Sequence, residues 1–150
     1  MNFPAFTAKA VPLPEFLHEI VGGDPLEAYT AGEDLLLIYE SQKTVKALQP
    51  DFSRMAALPY RGVIATAKGD GKPYDFVSRF FGPRVGVDED PVTGSAHSGL
   101  CPFWAQRLGK QEMLARQVSK RGGDLKVRNL GGRVAIAGQA VTVFKGEIFA

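Results

Sequence analysis

The sequence predicts an α+β fold in which a curved antiparallel β-sheet or barrel wraps around one central helix. Three observations point there. Short segments of alternating polarity, separated by glycine turns, occupy both ends of the chain, as half-buried strands do. One segment, Ser95 to Leu108, has helical character and is apolar around most of its circumference, the mark of a helix enclosed by other elements. Turn signals then crowd together at Gly122-Gly123-Asp124, Gly131-Gly132 and Gly138, which divides the last third into hairpins.

Taken in order, Pro14 to Val21 reads as a helix. Pro14 suits a first turn, Phe16, Leu17, Ile20 and Val21 form one face, and Gly22-Gly23 ends it; His18 falls on the polar side as a surface histidine. Ala28–Ala31 and Leu35–Glu40 follow as strands about a Gly32-Glu33-Asp34 turn. Ser41 to Leu48 is ambiguous, whereas Asp51 is placed to cap a brief helix through Ala57. Arg61–Ala67 and Asp75–Phe81 are strands, and 82–94 is a long loop, a place where function often resides. In the central helix, Ala96, Leu100, Phe103, Trp104 and Leu108 make the apolar stripe, Pro102 predicts a kink and Gly109 a stop. The runs Leu114–Lys120, Leu125–Leu130, Val134–Ala137 and Ala140–Phe144 complete the strands.

Composition narrows the function. With 150 residues, 45% hydrophobic and 23% charged, the chain has the make-up of one globular domain. A net charge of +2, with Lys120-Arg121, Lys126 and Arg128 interrupted by glycines and apolar residues, argues against a nucleic-acid partner. The longest strongly apolar run, Leu35–Tyr39, is far too short for a membrane span, and the start has no charged leader region. A single cysteine, Cys101, excludes an internal disulfide and fits a reducing, cytoplasmic setting. With no basic neighbour, Cys101 reads as a small buried hydrophobe.

Chemistry concentrates in Glu89-Asp90-Pro91-Val92-Thr93-Gly94-Ser95-Ala96-His97. Two acids precede a proline turn, and a Gly-Ser pair then opens the apolar helix. Backbone N–H groups at a helix start are unsatisfied, and the dipole favours negative charge there. Asp90 reads as a proton-transferring acid or as a turn cap. Thr93, Gly94, Ser95 and Ala96 read as a carboxylate cradle, the competing possibility being plain capping by Thr93 or Ser95. The dipole supplies only about 0.3–2 kcal/mol, so a second surface must contribute to binding. His97 reads as a packing or hydrogen-bonding residue. Arg79 could pair with Glu89 or Asp90, with anchoring of the 82–94 loop preferred.

This nine-residue motif, Arg79-Phe80-Phe81-Gly82-Pro83 before it, and Trp104, Leu108-Gly109 and Gln117-Val118-Ser119-Lys120-Arg121-Gly122-Gly123 after it resemble the C-terminal half of PhzF-like phenazine-biosynthesis proteins. The resemblance covers nearly the whole chain. It implies a diaminopimelate epimerase-like fold of two similar lobes, with the active site in the cleft between them. It further implies isomerase-type proton transfer on a small carboxylated metabolite of cyclic type, with Asp90 in the active site, Gly94 and Ser95 on the substrate, and neither metal nor organic cofactor. The epimerase relatives' reactive cysteine does not match Cys101. The family's principal glutamate and its Gly-His-Ala-Thr-type motif belong to the N-terminal lobe, and nothing before residue 60 resembles them. Residues 1–150 therefore read as a single C-terminal lobe, its site completed by a separate N-terminal lobe or by homodimerisation. The other expectation is a relic that binds an anion or a partner without turnover.

Overall fold

The computed structural model describes residues 1–71 and 73–148. Its strands are β1 (Asn2–Pro4), β2 (Lys9–Val11), β3 (Glu27–Ala31), β4 (Asp34–Ile38), β5 (Val63–Lys68), β6 (Phe76–Gly82), β7 (Val87–Asp90), β8 (Glu112–Gln117), β9 (Gly123–Asn129) and β10 (Arg133–Ala137). The helices are α1 (Leu17–Val21), α2 (Gln42–Ala47), α3 (Phe52–Met55) and α4 (Gly94–Leu108). The strands form one sheet in the order β1-β10-β9-β8-β6-β5-β4-β3-β2, with β7 paired to β6 beside this path. The two edge strands, β1 and β2, are separated in sequence only by residues 5–8. So short a link requires the sheet to curl until its edges approach each other.

Inside the curl lies α4. Leu100, Phe103 and Trp104 pack there with Leu36, Ile38, Ile64, Phe76 and Phe80. On the outer face, Leu35, Leu37, Val63, Val77 and Phe81 pack with Leu17, Val21, Val45 and Met55 from the three short helices. Strands covered on both faces need apolar side chains at every position, which is why Leu35–Tyr39 reads as an unbroken run. At Gly99 the helix comes so close to β3 that an added Cβ would lie 2.8 Å from the Ala31 Cβ.

Pro102 sits inside α4, and it has no N–H to give the Ser98 carbonyl one turn earlier. The Phe6 N–H fills that acceptor at 2.9 Å. The proline thus opens a docking point for the strap that joins the two sheet edges, and the helix continues to Gly109, which closes it in the left-handed conformation (φ 65°).

Several expectations need correction. The sheet is mixed: β4–β5 and β6–β8 are parallel. Both connections cross over through helices, the first through α2 and α3 and the second through α4, and a crossover returns the chain in the same direction. The 82–94 segment is not a plain loop, since Pro83–Val85 form a 3-10 turn and Val87–Asp90 form β7. The first helix begins at Leu17, leaving Phe16 49% exposed. Ser41 to Leu48 resolves as α2, with the Thr44 N–H on Ser41 Oγ at 3.1 Å, and Asp51 caps α3 as expected. Ala140–Phe144 is not a strand, because β1 and β9 already occupy both sides of β10; residues 138–148 are all exposed. Among the described residues, no helix is long and apolar enough to cross a membrane.

Candidate active site

The site is assembled where β6 changes neighbours. Along one side, the first half of β6 pairs with β8 (Ser78 opposite Gln117), and the second half pairs with β7 (Phe80 opposite Asp90). That switch sets Gln117 beside Asp90 just before the chain turns into α4. The Gln117 Nε2 donates to the Asp90 carbonyl at 2.6 Å, and its Oε1 accepts the Thr93 N–H at 2.8 Å. Ser119, two residues on, donates to the Pro91 carbonyl at 2.8 Å and accepts the Gly122 N–H at 3.0 Å. The Gln-x-Ser hairpin is therefore the clamp that shapes the acidic turn, a role that its sequence alone did not disclose.

Successive side chains of a strand point to opposite faces, and the two acids separate accordingly. Glu89 takes both forks of Arg79 (Nε–Oε1 2.7 Å, Nη2–Oε2 3.0 Å). Arg79 also donates to the Leu48 carbonyl at 2.8 Å and to Val45 at 3.3 Å, satisfying the end of α2, and lies 4.8 Å over the Phe81 ring. Arg79 thus both pairs with Glu89 and ties the motif to α2. Asp90, half-buried, turns the other way, and its Oδ2 accepts the Thr93 hydroxyl at 2.6 Å.

Neither expected cap closes the helix. Thr93 stands at the N-cap in extended geometry, but its hydroxyl serves Asp90 and its side chain caps nothing. The Ser95 Oγ instead accepts a bond from Arg61 Nη2 at 3.1 Å. The Thr93 amide is taken by Gln117, so of the four residues expected to form a cradle only Gly94, Ser95 and Ala96 remain candidates; at Gly94 an added Cβ would meet nothing within 4 Å. The helix therefore starts beside open space at Gly94, with Ser95 half-buried and Ala96 buried.

Arg61 and its partner Asp34 carried no signal in sequence. Asp34 looked like a turn residue, yet it is 2% exposed and forms a fork with Arg61 (Nε–Oδ1 2.9 Å, Nη2–Oδ2 2.5 Å). Burial pushes the Asp34 carboxyl upward, with the Arg61 bonds opposing. Parallel pairing of β4 with β5 brings the two together across the chain, and only knowledge of that pairing would have found them.

His97 is fully buried, with Nδ1 2.8 Å from the Thr93 carbonyl, and burial lowers its pKa to about 4. A carbonyl only accepts, so Nδ1 carries the proton; His97 is a packing and hydrogen-bonding residue. Cys101 is buried and its thiol is pushed up to about 11, which leaves no nucleophilic thiolate at neutral pH. His18 is exposed on α1. Among the described residues no three His, Cys, Asp or Glu side chains cluster as metal ligands.

Two open grooves lie near the motif, and neither is lined by Asp90 or by residues 93–96. One of about 610 Å³ includes Thr30, Glu33, Tyr60, Arg61 and Arg84, and one of about 450 Å³ includes Glu89, Pro91, Ser119 and Arg121. A groove of about 580 Å³ along β8–β10, lined by Glu112, Lys126, Arg128 and Ala137, contains none of the motif residues.

The family model described as "Phenazine biosynthesis-like protein" matches residues 1–146. An uncharacterized isomerase of Pseudomonas aeruginosa is 50% identical over 148 residues, covering 99% of this chain and 56% of the relative. An uncharacterized isomerase of Halalkalibacterium halodurans is 44% identical, with the same coverages. The crystal structure of a PhzF-family phenazine biosynthesis protein from Enterococcus faecalis superposes with a TM-score of 0.91 at 40% identity, over 100% of this chain and 57% of that one. The chain spans little more than half the length of these relatives.

Proposed function

Because the chain belongs to the phenazine biosynthesis-like, or PhzF, family, we propose that it supplies half of an isomerase site that moves a proton on a small carboxylated metabolite. The substrate carboxylate rests on the Gly94, Ser95 and Ala96 amides, with the Ser95 hydroxyl beside them. Asp90 presents Oδ1 to the reacting carbon while Thr93 holds Oδ2. An isomerisation of this kind removes a proton at one carbon and returns one at another, with no net gain or loss. Asp90 takes or delivers that proton, and the second group comes from the surface that completes the cleft. A further lobe or a second copy of the chain fills that place; the relatives cited are nearly twice as long as this chain.

The observation that carries this reading is the pairing of a half-buried, hydroxyl-anchored Asp90 with an uncapped helix start one turn away. The test is proton exchange. Small cyclic carboxylates incubated with the protein in D2O should gain carbon-bound deuterium, read by proton NMR, and Asp90→Asn should slow that exchange by about 100-fold or more. Exchange at an undiminished rate in Asp90→Asn would remove Asp90 from the chemistry. The non-catalytic alternative predicts that carboxylates bind at α4 without any exchange, even when the chain is mixed with a completing lobe.

A further inference from the structure

A carboxylate as enclosed as Asp34 is an expensive choice for a strand end. A buried ion pair is a weak source of stability, because desolvation offsets most of the attraction. The pair is also arranged asymmetrically: Asp34 is 2% exposed and the Arg61 side chain 33%, so the positive end faces the outside. Each hydrogen of Arg61 Nη2 has its own acceptor. One goes to Asp34 Oδ2 at 2.5 Å and the other to Ser95 Oγ at 3.1 Å. The fork on Asp34 and the Phe80 ring, 5.4 Å from the guanidinium carbon, fix the plane from which the second hydrogen points.

Arginine has no acceptor. Ser95 Oγ must therefore spend a lone pair on Arg61 and keep its own hydrogen, and that hydrogen has no acceptor among the described residues. Ser95 is the second residue of α4, next to the open space at Gly94. A hydroxyl that accepts from a cation is polarised toward donating. We propose that Asp34 and Arg61 are positioning residues that hold Ser95 as an oriented hydrogen-bond donor toward a carboxylate at the start of α4. The inference rests on the reading of that helix start as the carboxylate cradle, and adds to it the two residues that orient its hydroxyl.

The test uses the full chain and benzoate as the probe, followed by amide NMR with benzamide as the neutral control. In the wild type, benzoate should shift the Gly94, Ser95 and Ala96 amides saturably, and benzamide should not. The paired change Asp34→Asn with Arg61→Met removes both charges together, so that neither is left buried alone. It should weaken benzoate by roughly tenfold while the same amides still respond, as expected for loss of one charge-assisted hydrogen bond. Arg61→Lys, which keeps the acid neutralised but loses the fork, is the second variant and should also weaken binding. Ser95→Ala should weaken it by a similar factor, and adding the paired change to Ser95→Ala should cost no more than about twofold further, a coupling that a merely structural pair would not show. Unchanged benzoate affinity in both Arg61 variants, or full additivity with Ser95→Ala, overturns the positioning role and leaves the cradle standing. Absence of any shift at those three amides in the wild type overturns the cradle, and the positioning role with it.

Discussion

His97 shows how one side chain can hold a site without touching a ligand. Its Nδ1–H fixes the Thr93 carbonyl, Thr93 fixes Asp90, and its Nε2 is enclosed without a partner. A proton on Nε2 would place a charge in that enclosure, so the folded pKa falls from the usual 6.5 to about 4. The unfolded chain then binds the proton more tightly than the folded one between these values. Stability from this group is complete above pH 6.5 and is lost as pH falls toward 4, by on the order of 3 kcal/mol if the whole shift is expressed. Urea unfolding at several pH values across that window should show a steeper loss for the wild type than for His97→Gln, which cannot titrate. Parallel slopes would mean that the imidazole takes up its proton without unfolding. In the sequence, His97 could be placed one residue inside a helix and judged a packing residue; its full enclosure could not be read, because it depends on Phe76 and on the sheet that curls over α4.

At the scale of elements, the decisive event is the change of neighbour along β6, where Gln117 replaces two contacts that neither β7 nor α4 can make for itself. Replacing Gln117 by leucine keeps the volume but leaves the Thr93 N–H and the Asp90 carbonyl without partners. That should cost about 2–4 kcal/mol in urea unfolding and speed exchange of the Thr93 amide. A variant as stable as the wild type, with the amide still protected, would show that the clamp is not what shapes the turn. The helix α4 was legible because its apolar residues recur at helical spacing and Gly109 marks its end. Strand β7 was not: Val87-Asp88-Glu89-Asp90 is mostly charged, and it pairs only because the outer half of β6 lacks another neighbour there. The parallel pairs were hidden for a related reason, since alternation reports which face a residue occupies and never which strand lies beside it. Arg61 with Asp34 was lost in the same way, both being unremarkable until β4 and β5 are set side by side.

For the whole molecule, the curl that encloses α4 also decides what the last residues can do. Ala140 to Phe144 has the alternation of a strand, but β10 has β9 on one side and β1 on the other, so the sheet offers no adjacent edge. Val141, Val143, Phe144 and Ile148 are left 84–95% exposed. Apolar groups gathered on a surface favour association, whether with another copy or with a completing lobe. Because residues 138–148 bury nothing against the sheet, truncation after Ala137 should leave the melting temperature within about 2 °C of the full chain. The same truncation should reduce any concentration-dependent association seen by sedimentation velocity, since it removes the apolar surface and leaves the curled sheet intact. A large fall in melting temperature would show instead that this segment packs on its own body. Association that survives truncation unchanged would place the contact surface elsewhere, with the surface around Gly94 the next region to test by substitution.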